Sequence, residues 1–254
     1  MYPNIVDMKK FYAENPGLMV RRLVGKSVRG KIAAHPSHSI LGLGYANPFL
    51  RPLVGQARRV LSFAPAEQGV IAWPEISNIS SALVNETMLP LPDKSIDTLL
   101  LAHILEHTKD PNQVMAECAR VVAATGKIIV IVPNRRGIWS QLERTPFGYG
   151  RPYSCFQLRQ LLEGAGFHVD EISAALFTPP TQRKLLLKFS NRLELLRRWP
   201  FPRVGGVLIA EAHLNIFAPI KGQKVPIKSL VWKPQTAAAY NPQKGDLDSS
   251  GRAH

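Results

Sequence analysis

The chain has 254 residues, 45% of them hydrophobic, and a formal net charge of +14. That length suits one sizeable α/β domain with flanks, and the hydrophobic content is that of an ordinary globular protein. No apolar run approaches ~18 residues, which excludes a transmembrane helix, and "MYPNIVDMKKFYAENPG" lacks the apolar core of a signal peptide. Two cysteines, Cys118 and Cys155, make no metal or disulfide pattern, so a reducing cytoplasm is the expected compartment. The charge is partitioned along the chain. Residues 1–31 hold seven Lys/Arg against two acids, residues 32–180 twelve against twelve, and residues 181–254 thirteen against four. A neutral centre is thus flanked by basic segments. These could touch nucleic acid, anionic lipid or another polyanion, or they could be plain solvated surface.

Residues 7–32 read as helical, with apolar positions alternating with basic ones and Pro16-Gly17 dividing two short helices. Short apolar runs separated by helices follow. "SILGLG" at 39–44 is the first strand, "RRVLSF" at 58–63 the second, "SALVN" at 81–85 the third and "SIDTLLLAH" at 95–103 the fourth. "DPNQVMAECARVVAAT" is a helix with Asp110 as N-cap, Pro111 in its first turn and Gly126 as its stop. "GKIIVIVPN" at 126–134 is the fifth strand. Ser154 caps a helix "CFQLRQLLEGAG", and "FHVDEISAALF" is the sixth strand. Residues 181–198 read as an amphipathic helix with a basic face, and "GGVLIAEAHLNIFAPI" as the seventh strand. From about 222 the chain is rich in Pro, Lys, Ala, Ser and Gly, the composition of a disordered basic tail. Strands that are apolar throughout and spaced by helices predict a mostly parallel sheet buried on both faces.

The segments "LPLPDKSIDTLLLAHILEHTKDP" and "MAECARVVAATGKIIVIVPN" resemble the fourth and fifth strand regions of class I S-adenosylmethionine-dependent methyltransferases, nearest to the methyltransferase type 11 group. The resemblance runs in outline over 39–217. It implies a Rossmann-like fold with a seven-stranded sheet and helices on both faces, S-adenosyl-L-methionine as cofactor, and methylation of an acceptor that the sequence does not identify. The basic N-terminal segment and "RRGIWSQLERTPFGYGRPYS" are similar to a bacterial subgroup. The expected layout is a basic helical segment over 1–38, a methyltransferase-like domain over 39–221 and the tail over 222–254.

In the family the first strand ends in an acid followed by Gly-x-Gly-x-Gly. Those places fall on Gly42, Gly44, Ala46 and Pro48, with Tyr45 inside the turn, so only one of the three glycines is kept. The ribose-binding acid of the second strand falls near Ala64, with Glu67 and Gln68 close by in sequence. The adenine contact falls on Asn85 or Glu86, and His103 falls beside the methyl-transfer centre. The resemblance therefore implies cofactor contacts at Gly42, Gly44, Tyr45, Ala46, Asn85, Glu86 and His103, weakened by two missing carboxylates. A non-catalytic methyltransferase-like binding or regulatory domain is the alternative that those losses favour. The loop after the fifth strand offers Arg135, Trp139, Tyr149, Arg151 and Tyr153, a mix of cations and aromatics suited to an anionic or aromatic acceptor. No catalytic residue is assigned, since many methyl transfers need proximity and orientation rather than a base. "HILEH" fits the H-x-x-E-H spacing of inverted zinc proteases, but His103 closes a strand, where helical i, i+4 geometry is lost. No metal ligand is expected, and Glu106 is read as solvated.

Overall fold

The computed structural model describes residues 2–32, 34–74, 80–143, 145–179 and 205–215. These belong to one compact unit, Met1–Ala218. The predicted helix over 181–198 and the tail over 222–254 lie outside the described residues.

Two helices open the chain, α1 (Ile5–Ala13) and α2 (Asn15–Arg29). Asn4 caps α1 by accepting from the Val6 amide. The break between the helices falls at Glu14 and not at Pro16-Gly17. Proline fits the first helical turn, where its missing N–H has no intrahelical partner to lose, so Pro16 opens α2 instead of ending α1.

The sheet follows. Its strands are β1 (Ser39–Gly44), β2 (Arg59–Pro65), β3 (Ser81–Val84), β4 (Ile96–Ala102), β5 (Val122–Pro133), β6 (Phe167–Ala175) and β7 (Val207–Leu214). The order is β3-β2-β1-β4-β5-β7-β6. The first five are parallel to one another, while β7 runs antiparallel to both β5 and β6. β1 and β4 are adjacent although two strands separate them in sequence, so the chain reverses its winding direction between them. In an open parallel sheet that switch point, at the strands' carboxyl ends, is where ligands bind.

Alternation along the central strands fills a core on each face. Leu41, Leu43, Leu99, Leu101, Ile128 and Val130 point to the face covered by α4 (Pro111–Val121) and α5 (Cys155–Gly164). Ile40, Leu100, Ala102, Ile129 and Ile131 point to the face covered by α1, α2 and the short α3 (Asn47–Leu50). Asp110 caps α4 through the Asn112 and Gln113 amides, and Ser154 caps α5 in a capping box with Gln157, both as expected. The end of α4 differs from expectation. The helix stops at Val121 and β5 begins at Val122 with no loop, because Val122 pairs with Ile96 of β4. Sheet pairing thus claims Val122–Thr125, whose sequence reads as a continuing helix.

Candidate cofactor and acceptor site

β1 delivers the chain to the switch point and Gly44 turns it. Gly44 has φ of 84°, and a Cβ there would strike the Ala102 carbonyl at the end of β4. Only glycine meets both demands. The Tyr45 amide then donates to that same Ala102 carbonyl at 2.8 Å, tying the turn to β4. Ser62 of β2 donates to the Asn47 side-chain oxygen and anchors the far side of the turn.

The structure separates the expected cofactor residues into two groups. Gly44, Tyr45 and His103 meet at the switch point. Gly42 does not reach it: this residue sits within β1, paired with Ser62 and Leu100, and a Cβ there would collide with Leu50 and stand 2.7 Å from the Ala46 Cβ. Ala46 is itself fully buried in that packing and offers no room to a ligand. Asn85 is exposed, and its side-chain oxygen accepts from the amide and hydroxyl of Thr87, closing a local turn. Glu86 accepts a 2.9 Å hydrogen bond from the Tyr2 hydroxyl.

An aromatic cluster lies over the strand ends. Tyr12 of α1 reaches His103 Nε2 at 2.8 Å and packs against Tyr45 and Phe49. Phe147, from the loop after β5, packs on the His103 ring at a centroid distance of 4.7 Å. Burial, then the charges on Tyr45 and Glu106, push the Tyr12 phenol well above its ordinary range. Burial and the neighbouring Glu86 do the same to Tyr2. Both phenols therefore remain protonated at neutral pH.

His103 has φ of 55°, rare for a residue with a side chain. It opens a turn, His103 to His107, that is wholly buried. Glu106 is only 2% exposed, which corrects its reading as a solvated residue. The loop after β5 is what covers it. Gly150, at φ of 85°, packs on the Glu106 carbonyl, and the Arg151 amide donates to that carbonyl at 2.8 Å. Tyr153 donates its hydroxyl to the Leu105 carbonyl at 3.0 Å, and burial with the Glu106 charge raises its phenol to about 12.

The expected acceptor loop also divides. Arg135, Tyr149 and Arg151 are exposed around the turn. Trp139 is buried rather than offered to a ligand: it is 1% exposed, its indole N–H donates to the Thr178 carbonyl, and it leaves no room for a side chain at Gly206. Tyr153 is spent on the Leu105 carbonyl.

Two further buried residues lie in the segments around the switch point. Gln68, after β2, is 1% exposed with both amide atoms lacking a hydrogen-bond partner among the described residues. Its backbone carbonyl accepts from the Ile5 amide, which places it under the start of α1. Phe147 is the other. A cavity of about 440 Å³ opens between α1, α2, the turn after β1 and the 71–74 segment, lined by Tyr12, Tyr45, Asn47, Arg51 and Trp73. Its volume falls in the range of about 300–1,000 Å³ typical of small-molecule sites.

Comparison with known proteins bears on the fold and on one segment of the chain. Residues 49–130 match the model of the methyltransferase domain family. A probable S-adenosylmethionine-dependent methyltransferase of Mycolicibacterium smegmatis is 37% identical over 89 residues, which is 34% of each chain. One of Mycobacterium tuberculosis is 36% identical over 103 residues, or 40% of this chain and 37% of its own. The matched segment thus spans little more than a third of these curated relatives. Among solved structures, a methyltransferase of Thermotoga maritima aligns over 82% of this chain and 95% of its own with a TM-score of 0.58 at 16% identity. The [4+2]-cyclase SpnF aligns over 76% and 81% with a TM-score of 0.52 at 16% identity. At such identities the likeness is one of fold, and the cyclase shows that the fold carries more than one chemistry. The strand order and the structural neighbours give this chain the Rossmann-like methyltransferase fold, and residues 49–130 carry the match to the methyltransferase domain family.

Proposed function

We propose that this protein transfers a methyl group from S-adenosylmethionine to an acceptor held at the rim of the β4 and β5 carboxyl ends. The observation that carries the reading is Gly44. A left-handed glycine, pressed on the end of β4 at the switch point, leaves the turn bare of side chain where a cofactor's methionine portion must approach. Gln68 supports it. A buried amide with two unsatisfied polar atoms costs roughly 1–3 kcal/mol unless something pairs with it, and it lies after β2, where the family places its ribose contact. The cavity beside Tyr45 gives room. The residues present therefore fit the cofactor, with Gly44, Tyr45 and Gln68 holding it and His103 at the reacting end.

The bound cofactor would supply an activated methyl group on a sulfonium. The protein's own residues orient and exclude water. Tyr12, Phe147 and the His103 ring wall the transfer point with buried surface, and a dry, fixed geometry is what methyl transfer chiefly requires. Arg135, Arg151 and Tyr149 at the rim suit an anionic or aromatic acceptor. A polyanion contact through the basic flanks is part of the same proposal.

Neither family carboxylate is replaced by another carboxylate. A hydrogen bond to a charged group contributes roughly 1.5–3 kcal/mol, so binding should be ten- to a hundredfold weaker than with both acids present. Calorimetric titration with S-adenosylhomocysteine should give a Kd of about 1 μM or weaker. Gln68→Leu should weaken it roughly tenfold, about 1.4 kcal/mol, while the melting temperature of the unliganded protein holds or rises. Absence of heat and of thermal shift with millimolar ligand would instead identify a non-catalytic domain, the reading that the packed-in Gly42 position favours.

A further inference from the structure

We propose that His103, Glu106 and His107 form a binding site for one divalent first-row transition cation, with Zn²⁺ the ion whose preferences the ligand set meets best. The site is defined by this chain's own side chains and stands independently of the cofactor reading.

Geometry comes first. His103 Nδ1 lies 3.2 Å from Glu106 Oε1, His107 Nε2 lies 4.0 Å from the same oxygen, and one ligand atom from each residue falls within 4.8 Å of the others. Ligands of a tetrahedral zinc, each about 2.0–2.2 Å from the ion, stand roughly 3.3–3.5 Å apart. One edge of the triangle already has that length, and small side-chain rotations close the rest. Two imidazoles and a carboxylate are a donor set that zinc accepts, with a further position left for water or another oxygen.

Electrostatics comes second. The three side chains are 1%, 1% and 0% exposed. Among the described residues, both Glu106 oxygens lack a hydrogen-bond partner and no Lys or Arg pairs with that carboxylate. An ionised carboxyl so placed is costly unless a cation compensates it. A metal ion held between this carboxylate and the adjacent imidazoles supplies that cation.

The surrounding residues are the third argument. Ligating histidines usually give their second ring nitrogen to an oxygen, which fixes the tautomer. His103 Nε2 lies 2.8 Å from the Tyr12 hydroxyl, so the ring can keep its proton there and present Nδ1 to the ion. The backbone is held as well. His103 sits at φ of 55°, the Arg151 amide fastens the Glu106 carbonyl, and the Tyr153 hydroxyl fastens the Leu105 carbonyl. A strained residue in a turn clamped this way is typical of a functional constraint. H-x-x-E-H spacing is usually associated with metal on a helix; here a tight turn gathers the same three side chains without one.

The test uses the full chain, stripped with a chelator and dialysed. Titration with Zn²⁺ should show one equivalent bound, with a rise in melting temperature, and Co²⁺ should give the visible absorption of a site built from nitrogen and oxygen donors. Glu106→Gln, an isosteric change that also removes the buried charge, should weaken binding at least tenfold. Tyr12→Phe, which frees His103 Nε2, should weaken it ten- to a hundredfold. X-ray absorption of the zinc-loaded wild type should show imidazole ligands and no sulfur, a readout that does not depend on any variant folding. No binding by the wild type would overturn the proposal. So would unchanged affinity in a folded Glu106→Gln variant, or a sulfur shell pointing to Cys118 or Cys155.

Discussion

Gly42 and Ala46, the places where the resemblance implies an acid and the second turn glycine, are packed as one unit. Leu50 and Ala46 occupy the volume that a side chain at 42 would need, and both are fully buried. Gly42 thus makes room for Ala46, and Ala46 with Leu50 closes the core above β1. It follows that restoring the acid is destructive. Gly42→Asp would drive a carboxylate into Leu50 with no partner, a combination of overpacking and unpaired buried charge that costs about 3 kcal/mol or more. For a domain of this size that predicts a fall in melting temperature of roughly 6–12 °C, with no gain in S-adenosylhomocysteine affinity. A Gly42→Asp protein that melts like wild type and binds more tightly would show that the turn can rearrange. Gly44 and His103 were legible in the sequence because a glycine or a polar residue interrupted an apolar strand. Glu106 and Gln68 were not. Each reads as an ordinary polar loop residue, and each is buried only because a distant segment, 150–153 or the start of α1, folds over it.

Among the elements, α4 is tied by one guanidinium to the segment that leads into β4, the strand before it. Arg120 donates to Glu117, Asp93 and the carbonyls of Leu89 and Leu91, while Glu117 accepts from the Leu89 amide at 2.6 Å. This network fixes the 89–93 segment that leads into β4, and so the height at which His103 emerges. The hydrogen bond from Arg120 holds the Glu117 carboxyl below its ordinary range, outweighing burial, and the Leu89 amide adds to it. A carboxylate whose pKa is depressed in the folded state contributes stability that is present above its unfolded pKa and is lost as pH falls through the folded value. Glu117→Gln should therefore cost about 1–2 kcal/mol at neutral pH and flatten the acid side of a plot of melting temperature against pH. An unchanged acid limb would show that the network adds nothing to stability. Cap residues such as Asp110 and Ser154 announced their helices because a cap is a local interaction between neighbours in sequence. The junction of α4 and β5 was not announced, since Ala123 and Ala124 favour a helix and only pairing with β4 overrides them.

Along the whole chain, charge is distributed so that residues 32–180 are neutral and the excess of basic charge lies in the flanking segments. On α2 this becomes a surface. Val20, Leu23, Val24 and Val28 are buried against the sheet, while Arg21, Arg22, Lys26 and Arg29 are exposed. Arg22, Lys26 and Arg29 recur at i, i+4 and i+7 and so share one stripe, and no acid lies within the helix. The cationic side is thus a by-product of neither packing nor capping, and it gives the proposed polyanion contact a defined location. Each phosphate contact releases condensed counterions, so affinity for a polyanion should fall steeply with salt, with a slope of about 0.7–0.9 per contact on logarithmic axes. The triple change Arg22→Glu, Lys26→Glu, Arg29→Glu alters only exposed positions. Its melting temperature should stay within a few degrees of wild type, since surface substitutions away from special features each shift stability by about 0.5 kcal/mol or less. Its retention on heparin should drop, and the salt slope for a single-stranded RNA probe should fall by about two units if all three side chains touch phosphate. An unchanged slope would assign any polyanion binding to other segments. No retention by the wild type at ~0.1 M salt would make the stripe solvated surface, because screening at that ionic strength weakens but does not abolish a multivalent contact.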